Sequence, residues 1–183
     1  VLSRWGQNRV YNYFVNGESR SYAYARQTYG PFLAATDPDE AQDRISGRVG
    51  YVVTTEIEVE EPTTMYVRLH QHFGSQNGDV DGLAHYRPLF VSEDGSHKAF
   101  AVVPGGTIQG TAAPNSTVSV AATVEISDRE IPYERQTTAN QNGEFTVTVA
   151  NPGVYTVTTD GGSETTIEVP EQTVYDGGNV TVE

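Results

Sequence analysis

The 183 residues of this chain allow one large or two small domains, and 37% hydrophobic residues suffice for ordinary cores. The net charge of −13 repels nucleic acid and anionic lipid, so we expect no nucleic-acid partner and no direct insertion into a membrane. The absence of cysteine excludes disulfides, thiolate nucleophiles and cysteine-based metal sites.

The basic residues are ten arginines and a single lysine, Lys98. An acidic, lysine-poor composition is typical of a protein that works in concentrated salt, although an ordinary acidic domain is the alternative. The opening Val1-Leu2-Ser3-Arg4-Trp5 has neither a start residue nor a basic flank to an apolar run, and no run could cross a bilayer. We therefore expect a water-soluble piece of a longer chain.

The segment from Trp5 to Tyr29 is dense in tyrosine and arginine. After a break at Asn16-Gly17, Tyr22, Ala25 and Tyr29 share one face of a helix that starts near Ser19, and Gly30-Pro31 is expected to stop it. The aromatic side chains of this segment could stack on sugars or bases. In an acidic chain they more often pack at the edge of the hydrophobic core, with the aliphatic parts of arginine side chains lying over the rings.

A second helix is predicted from Asp37 to about Ser46. Asp37 can cap it, Pro38 fits its first turn, Glu40 occupies the capping-box position and Gly47 closes it. The nearly continuous apolar run 49–54 then predicts a strand buried on both faces, and the acidic run 58–61 predicts a solvated loop.

The stretch from Thr64 to Ser92 contains three of the four histidines and the only methionine. Met65, Tyr66, Leu69 and Phe73 recur at helical spacing, so a short helix from Pro62 to Gly74 is predicted, followed by a polar loop at 75–82. We expect this stretch to be a structural centre of the first module, with Met65, Leu69 and Phe73 facing the strand at 51–54. The turn signal Glu93-Asp94-Gly95-Ser96 then predicts a hairpin of 86–91 with 97–103.

The composition changes at Pro104. Short segments alternate apolar residues with Thr or Ser at 107–111, 118–120, 145–149, 154–157 and 166–169, which is typical of a small antiparallel sandwich without helices. Residues 1–103 carry 13 acids against 9 bases, whereas residues 104–183 carry 11 acids against 2. We predict an α+β chain: a mixed α/β module at 1–103 and a β-sandwich, transthyretin-like or immunoglobulin-like, at 104–183.

The candidate chemistry is sparse. His70 and His72 would point to different faces of a helix, and Asp79, Asp81 and His85 lack calcium-loop spacing, so partly buried histidines without metal are preferred over an ion site. No paired carboxylates, nucleophile elbow or phosphate loop stands out, and no catalytic, cofactor or metal residue is assigned. Two sequons, at Asn115 and Asn179, could carry a glycan in the sandwich.

Residues 5–103 resemble the post-membrane region of haloarchaeal oligosaccharyltransferase catalytic subunits, the AglB family. The resemblance rests on segments in the family's order: WGQNRVYNYF from Trp5, DPDEA from Asp37, GRVGYVV from Gly47, MYVRLHQHFG from Met65 and HYR from His85. The sandwich resembles appended transthyretin-like or carboxypeptidase-regulatory domains, through Gly143-Glu144-Phe145 and Pro152-Gly153-Val154-Tyr155.

The family resemblance implies a membrane enzyme that transfers a glycan from a dolichol-phosphate-type carrier to the Asn of a sequon, with a divalent metal, Mn or Mg, in its membrane half. Its partners would be an acceptor polypeptide and the lipid-linked oligosaccharide, at the extracytoplasmic face of the cell membrane. The family's Trp-Trp-Asp-Tyr-Gly motif is absent and is expected just before Val1, so the fragment alone is expected to be inactive. The alternative is a non-enzymatic cell-surface or carbohydrate-binding module.

Overall fold

The computed structural model describes residues 1–182 and confirms the predicted α+β class. Four α-helices are described: α1 Trp5–Asn16, α2 Ala23–Ala34, α3 Pro38–Ile45 and α4 Glu171–Asp176. A π-helix at Val67–Gln71 lies between the first and second strands of the chain. The strands are β1 Tyr51–Thr55, β2 Tyr86–Val91, β3 His97–Val102, β4 Gly106–Thr111, β5 Thr117–Ile126, β6 Arg129–Thr138, β7 Glu144–Val149, β8 Gly153–Thr159, β9 Glu164–Val169 and β10 Asn179–Thr181.

The first half is organised around a three-stranded sheet of order β1-β3-β2, in which both pairs are antiparallel. The predicted hairpin of β2 and β3 is confirmed. Leu2 makes a parallel bridge to Val52, which ties the start of the chain to β1. The inner side of this sheet, with Val52 and Phe100, packs on α2, α3 and the π-helix to form the first core.

Helix α3 forms as predicted. The Asp37 Oδ1 accepts hydrogen bonds from the backbone N–H groups of Asp39 and Glu40, at 2.9 and 3.1 Å, and Pro38 occupies the first turn. The acidic run at 58–61 lies in a loop, as predicted.

The prediction that Gly30-Pro31 stops the preceding helix is wrong, because α2 continues through Pro31 to Ala34. Proline removes one backbone donor, but Phe32 and Leu33 beyond it are buried in the first core. The free energy gained by burying these two side chains exceeds the free energy lost with one missing backbone hydrogen bond. Helix α1 was not predicted; it ends at Gly17, whose φ of 75° is the left-handed conformation that glycine adopts without strain.

The second half contains two sheets, of order β10-β4-β7 and β6-β5-β8-β9. Three details of the sequence prediction are wrong. The long strand β6 was not predicted; it contains Pro132 and lies at a sheet edge, where a missing backbone donor costs little. The sandwich contains a helix, α4, and β10 pairs with β4 in parallel, so it is not purely antiparallel.

Each half has its own core. The first core extends to Phe100, while the second includes Ala101 and Val103 together with sandwich residues such as Ile108 and Tyr155. The outward side of β3 at Ala101 therefore packs on the sandwich. The boundaries 1–103 and 104–183, and the type of sandwich, stay predictions.

Candidate functional site

The π-helix lies at the centre of the first core. Met65, Tyr66, Val67 and Leu69 are all buried, and the Met65 N–H donates to the Ala35 carbonyl at the end of α2. The His72 N–H reaches back five residues to the Val67 carbonyl, at 3.2 Å, which is the π pattern. The structure places Met65 and Leu69 inward, as predicted. Phe73 follows the helix with a φ of 54° and is only half-buried, so its predicted inward position is wrong.

His70 is buried between the π-helix and β1. Its Nδ1 lies 2.7 Å from the Thr54 Oγ1, and its ring stacks on the Tyr66 ring with centroids 5.1 Å apart. Burial, assisted by the nearby Lys98 charge, lowers the pKa of His70 to about 4. The ring is therefore neutral at physiological pH and serves as a packed hydrogen-bonding group.

Lys98, the only lysine of the chain, is also buried. Its Nζ donates to the His70 carbonyl oxygen and lies 3.9 Å from the centre of the Phe73 ring. Burial lowers the pKa of Lys98 below its ordinary value. A carbonyl and an aromatic face compensate part of the cost of burying this ammonium group. The Phe73 ring covers one side of the Lys98 ammonium group.

The structure distributes the other histidines among separate partners. The His72 Nε2 lies 3.2 Å from the Asn77 Nδ2, and the His85 Nδ1 lies 3.0 Å from the Pro104 carbonyl oxygen. The His97 Nδ1 lies 2.8 Å from the Ser96 Oγ. Within residues 1–182, no group of three or more His, Asp or Glu side chains is placed to hold a metal ion. His70, His72 and His85 are therefore not brought together.

Arg68 is the unexpected residue of this segment, because it is buried on the π-helix. Its Nε and Nη1 have no hydrogen-bond partner among the residues that the structure describes, and burial lowers its pKa. A buried guanidinium group lowers the stability of the fold unless its charge is compensated. The sequence pattern gave no signal for this burial, since an arginine between Val67 and Leu69 ordinarily lies on the solvent side of a helix.

The polar loop after the π-helix joins the two halves. The Gln76 N–H donates to the Glu134 carbonyl at 2.9 Å, and the Glu134 N–H donates to the Ser75 Oγ at 3.0 Å. The buried Tyr133 hydroxyl donates to the Leu83 carbonyl at 2.7 Å. A side chain at Gly82 would meet the Glu134 oxygen at 2.6 Å, so only glycine permits this approach.

A second link lies at the other end of β2. The Arg87 Nη1 lies 2.6 Å from the Glu171 Oε1, and its guanidinium lies over the Tyr175 ring at 5.4 Å, so β2 is tied to α4. The stretch 64–92 is thus a junction between the two halves, and its side chains are engaged in packing and hydrogen bonds. That arrangement can hold two modules in a fixed relation.

The two sequons occupy exposed positions. Asn115 lies in the turn before β5 with a φ of 61°, and Asn179 opens the edge strand β10. The Thr181 Oγ1 accepts a hydrogen bond from the Gln109 Nε2 at 2.9 Å. Modification of either asparagine stays a prediction.

The fold is similar to that of solved archaeal oligosaccharyltransferases. An archaeal oligosaccharyltransferase AglB from Archaeoglobus fulgidus, solved with an inhibitory peptide and a dolichol-phosphate, superposes with a TM-score of 0.78 at 14% identity. A structure of the same organism's enzyme with Zn and sulfate gives 0.74, and one tethered to an acceptor peptide with an NVT sequon gives 0.75, both at 14% identity. At this identity the likeness shows the fold.

The family comparison is more specific. Residues 105–180 match the model described as the archaeal glycosylation protein B long peripheral domain. The resemblance to the AglB family is thereby confirmed, whereas the haloarchaeal origin stays a prediction. The alignments cover 98% of this chain but only 37%, 40% and 38% of the three solved chains. No curated protein matches the sequence. In residues 1–182 the helices are too short or too polar to span a bilayer.

Proposed function

We propose that this chain is the extracytoplasmic C-terminal part of a membrane oligosaccharyltransferase that glycosylates the Asn of Asn-X-Ser/Thr sequons from a dolichol-phosphate-linked glycan. Its partners are the acceptor polypeptide and the lipid-linked oligosaccharide, which it meets through the rest of the enzyme. The observation that carries the proposal is the match of residues 105–180 to an archaeal glycosylation protein B domain, in a chain whose fold follows AglB over 98% of its length.

The chain's own contribution is structural. The junction at 64–92 fixes the first module on the sandwich, and a fixed peripheral domain supports whatever acceptor-binding surface the rest of the enzyme supplies. A divalent metal, Mn or Mg, belongs to the parent's membrane half. The residues present do not fit such an ion, since the histidines have separate partners, and no step of the transfer is assigned to a metal in this chain.

A transfer assay tests whether the chemistry of glycan transfer lies outside this chain. The isolated chain, incubated with a lipid-linked oligosaccharide, a sequon peptide and manganese, is expected to give no glycopeptide above buffer. Any turnover would contradict the assignment of chemistry to the rest of the enzyme. In the parent enzyme, deletion of this segment should abolish transfer.

The reading frame before the Val1 codon tests the identity of the parent. About a dozen membrane spans and a Trp-Trp-Asp-Tyr-Gly stretch directly before Val1 are expected from the family resemblance. A plain secretion signal in that place would contradict the proposal and favour a cell-surface or carbohydrate-binding module.

The acidic composition favours a protein that works in concentrated salt. The 24 acids of the whole chain repel one another, and only three ion pairs occur among residues 1–182. Salt screens this repulsion, so the melting temperature should rise from dilute to molar potassium chloride. Sucrose at matched water activity is the control, because it carries no charge. An unchanged melting temperature in salt would count against a halophilic protein.

A further inference from the structure

Helix α1 has the reverse of the usual amphipathic pattern. Its two buried residues are Asn8 and Asn12, whereas Val10, Tyr13 and Phe14 are 53%, 56% and 78% exposed. A helix on the surface of a globular protein normally turns apolar residues inward and polar residues outward. The exposure of Val10, Tyr13 and Phe14 on α1 therefore needs its own explanation.

The inward side of α1 is held by hydrogen bonds. The Asn8 Nδ2 donates to the Val1 carbonyl at 2.8 Å, and the Asn12 Nδ2 donates both to the Asn8 Oδ1 at 2.9 Å and to the Arg20 carbonyl at 3.0 Å. The Tyr22 N–H donates to the same Asn8 Oδ1 at 3.3 Å. Attachment of the helix thus needs no apolar burial, and its aromatic residues are left at the surface.

The exposed side chains continue into an apolar groove. A cavity of about 170 Å³ lies between the C-terminal half of α1 and the outer side of the first sheet, and its apolar lining includes Phe14, Val15, Tyr51, Val53 and Phe90. Phe90 and Tyr51 are themselves 49% and 38% exposed. Contiguous exposed apolar surface of this kind marks an interaction site on a soluble protein.

The N-terminal segment that contains α1 carries a net charge opposite in sign to that of the whole chain. Residues 1–36 contain four arginines, Arg4, Arg9, Arg20 and Arg26, and one acid, Glu18, a net of +3, whereas the whole chain carries −13. Arg9 is exposed on α1 itself, and the Arg26 guanidinium lies over the Trp5 ring at 5.6 Å. At an ionic strength of about 0.1 M charges act over roughly 10 Å, so the local sign governs contact.

We propose that the α1 face, defined as Arg9, Val10, Tyr13 and Phe14, is a docking surface for an anionic lipid bilayer. A helix with aromatic residues and arginines on one side lies in the plane of the bilayer interface, with its apolar side chains at the acyl boundary and its cations among the phosphates. At 12 residues α1 is too short to span, so the contact is peripheral. The net charge alone suggested repulsion; the distribution of charge reverses that expectation for this face.

Tryptophan fluorescence provides a local readout, because Trp5 is the only tryptophan and begins α1. The isolated chain is mixed in dilute buffer with vesicles of phosphatidylglycerol and phosphatidylcholine in equal parts, or of phosphatidylcholine alone. On the anionic vesicles the emission of Trp5 is expected to shift to the blue and brominated lipid to quench it, and the chain is expected to float with the vesicles.

Two variants separate the components of the surface. V10S/Y13S/F14S should lose most binding to both kinds of vesicle, by roughly tenfold or more. R9Q should weaken binding to anionic vesicles by about fivefold, which corresponds to about 1 kcal/mol, and leave weak binding to neutral vesicles unchanged. The control I57S/V154S replaces two other exposed apolar residues and should bind like the unmodified chain.

Melting temperature and circular dichroism establish that each variant is folded. The proposal is overturned if the unmodified chain does not bind anionic vesicles, if neutral vesicles bind it equally well, or if the control loses as much binding as the α1 variant. A dimer in light scattering that becomes a monomer in V10S/Y13S/F14S, without vesicle binding, would instead assign the face to a second copy of the chain. These outcomes do not depend on glycan transfer, so they are independent of the proposed function.

Discussion

The His70 ring shows how burial sets the chemistry of a residue in this chain. The pKa of His70 is lowered from 6.5 to about 4, first by burial and then by the Lys98 charge. As the pH falls below 6.5 the unfolded chain takes up a proton at this residue before the folded chain does. The contribution of neutral His70 to stability is therefore complete above pH 6.5 and is lost as the pH falls towards about 4.

A pH series of unfolding free energies measures this effect. H70Q should show a flatter dependence between pH 6.5 and about 4 than the unmodified chain, because the replaced side chain does not titrate. H72Q is the comparison: burial also lowers the pKa of His72, but the shift is large only at His70, so most of the slope should remain. Titration of the His70 ring signal near its ordinary pKa, followed by nuclear magnetic resonance, would contradict the buried neutral form.

Leu69 tests the structural importance of the π-helix. Leu69 is fully buried in the first core, whereas Leu89 on β2 is 41% exposed. L69A is expected to lower the free energy of unfolding by about 2–5 kcal/mol, because it removes apolar burial and leaves a cavity. L89A, the same change at an exposed site, should cost much less. Equal losses in urea unfolding would show that the π-helix is not central to the core.

Residue patterns in the sequence were sufficient for some of these features. The capping of α3 by Asp37 and the inward positions of Met65 and Leu69 follow from local rules that the fold did not override. The burial of Lys98 could not be found in the same way, because it is set by contacts distant along the chain. Lys98 is covered by Phe73 and the His70 carbonyl, 25 and 28 residues earlier in the chain.

At the scale of elements, α1 is held by its buried asparagines. N8A would leave the Tyr22 N–H and the Asn12 Nδ2 without the oxygen that they share, and each buried unpaired donor costs about 1–3 kcal/mol. The expected result is a loss of stability with faster amide exchange across α1. N16A, on the same helix but exposed, is the control and should leave exchange in the helix interior nearly unchanged. Similar losses in both variants would contradict attachment through the polar network.

The elements that sequence reasoning missed have related physical causes. Helix α1 has its polar residues inward, so a search for an inward apolar face does not find it. Helix α2 and strand β6 both contain a proline that local rules treat as a stop, yet burial beyond Pro31 and the edge position of Pro132 make each tolerable. Strand pairs with a turn signal, such as β2 and β3, were predicted correctly because the signal is local.

At the scale of the whole molecule, the family match lies in the half that the sequence alone described least specifically. The sequence resemblance to AglB rested on residues 5–103, while the family model matches residues 105–180. Short Thr- and Val-rich strands recur in many sandwiches, so their alternation indicates a class and not a family. The candidate junction was predictable as a central stretch, but its partners in β6 were not, because β6 itself was not predicted.

Tyr133 tests whether the two halves act as one unit. Its buried hydroxyl donates to the Leu83 carbonyl of the first half and accepts from the Ala150 N–H of the second, at 2.7 and 3.0 Å. Y133F keeps the ring but leaves both partners unpaired, so a loss of about 1–3 kcal/mol is expected, with faster amide exchange at Gln76 and Leu83.

Y155F is the matched control for Y133F. The Tyr155 hydroxyl is also buried, but it donates to the Asn151 carbonyl at 2.8 Å, within the sandwich. Y155F should lower stability without faster exchange in the loop at 75–83, since that loop bonds to β6 through Gln76 and Ser75. If both variants increase amide exchange in the loop equally, the Tyr133 hydroxyl does not specifically connect the two halves. If neither does, the halves are held mainly by the packing of Ala101 and Val103 on the second core.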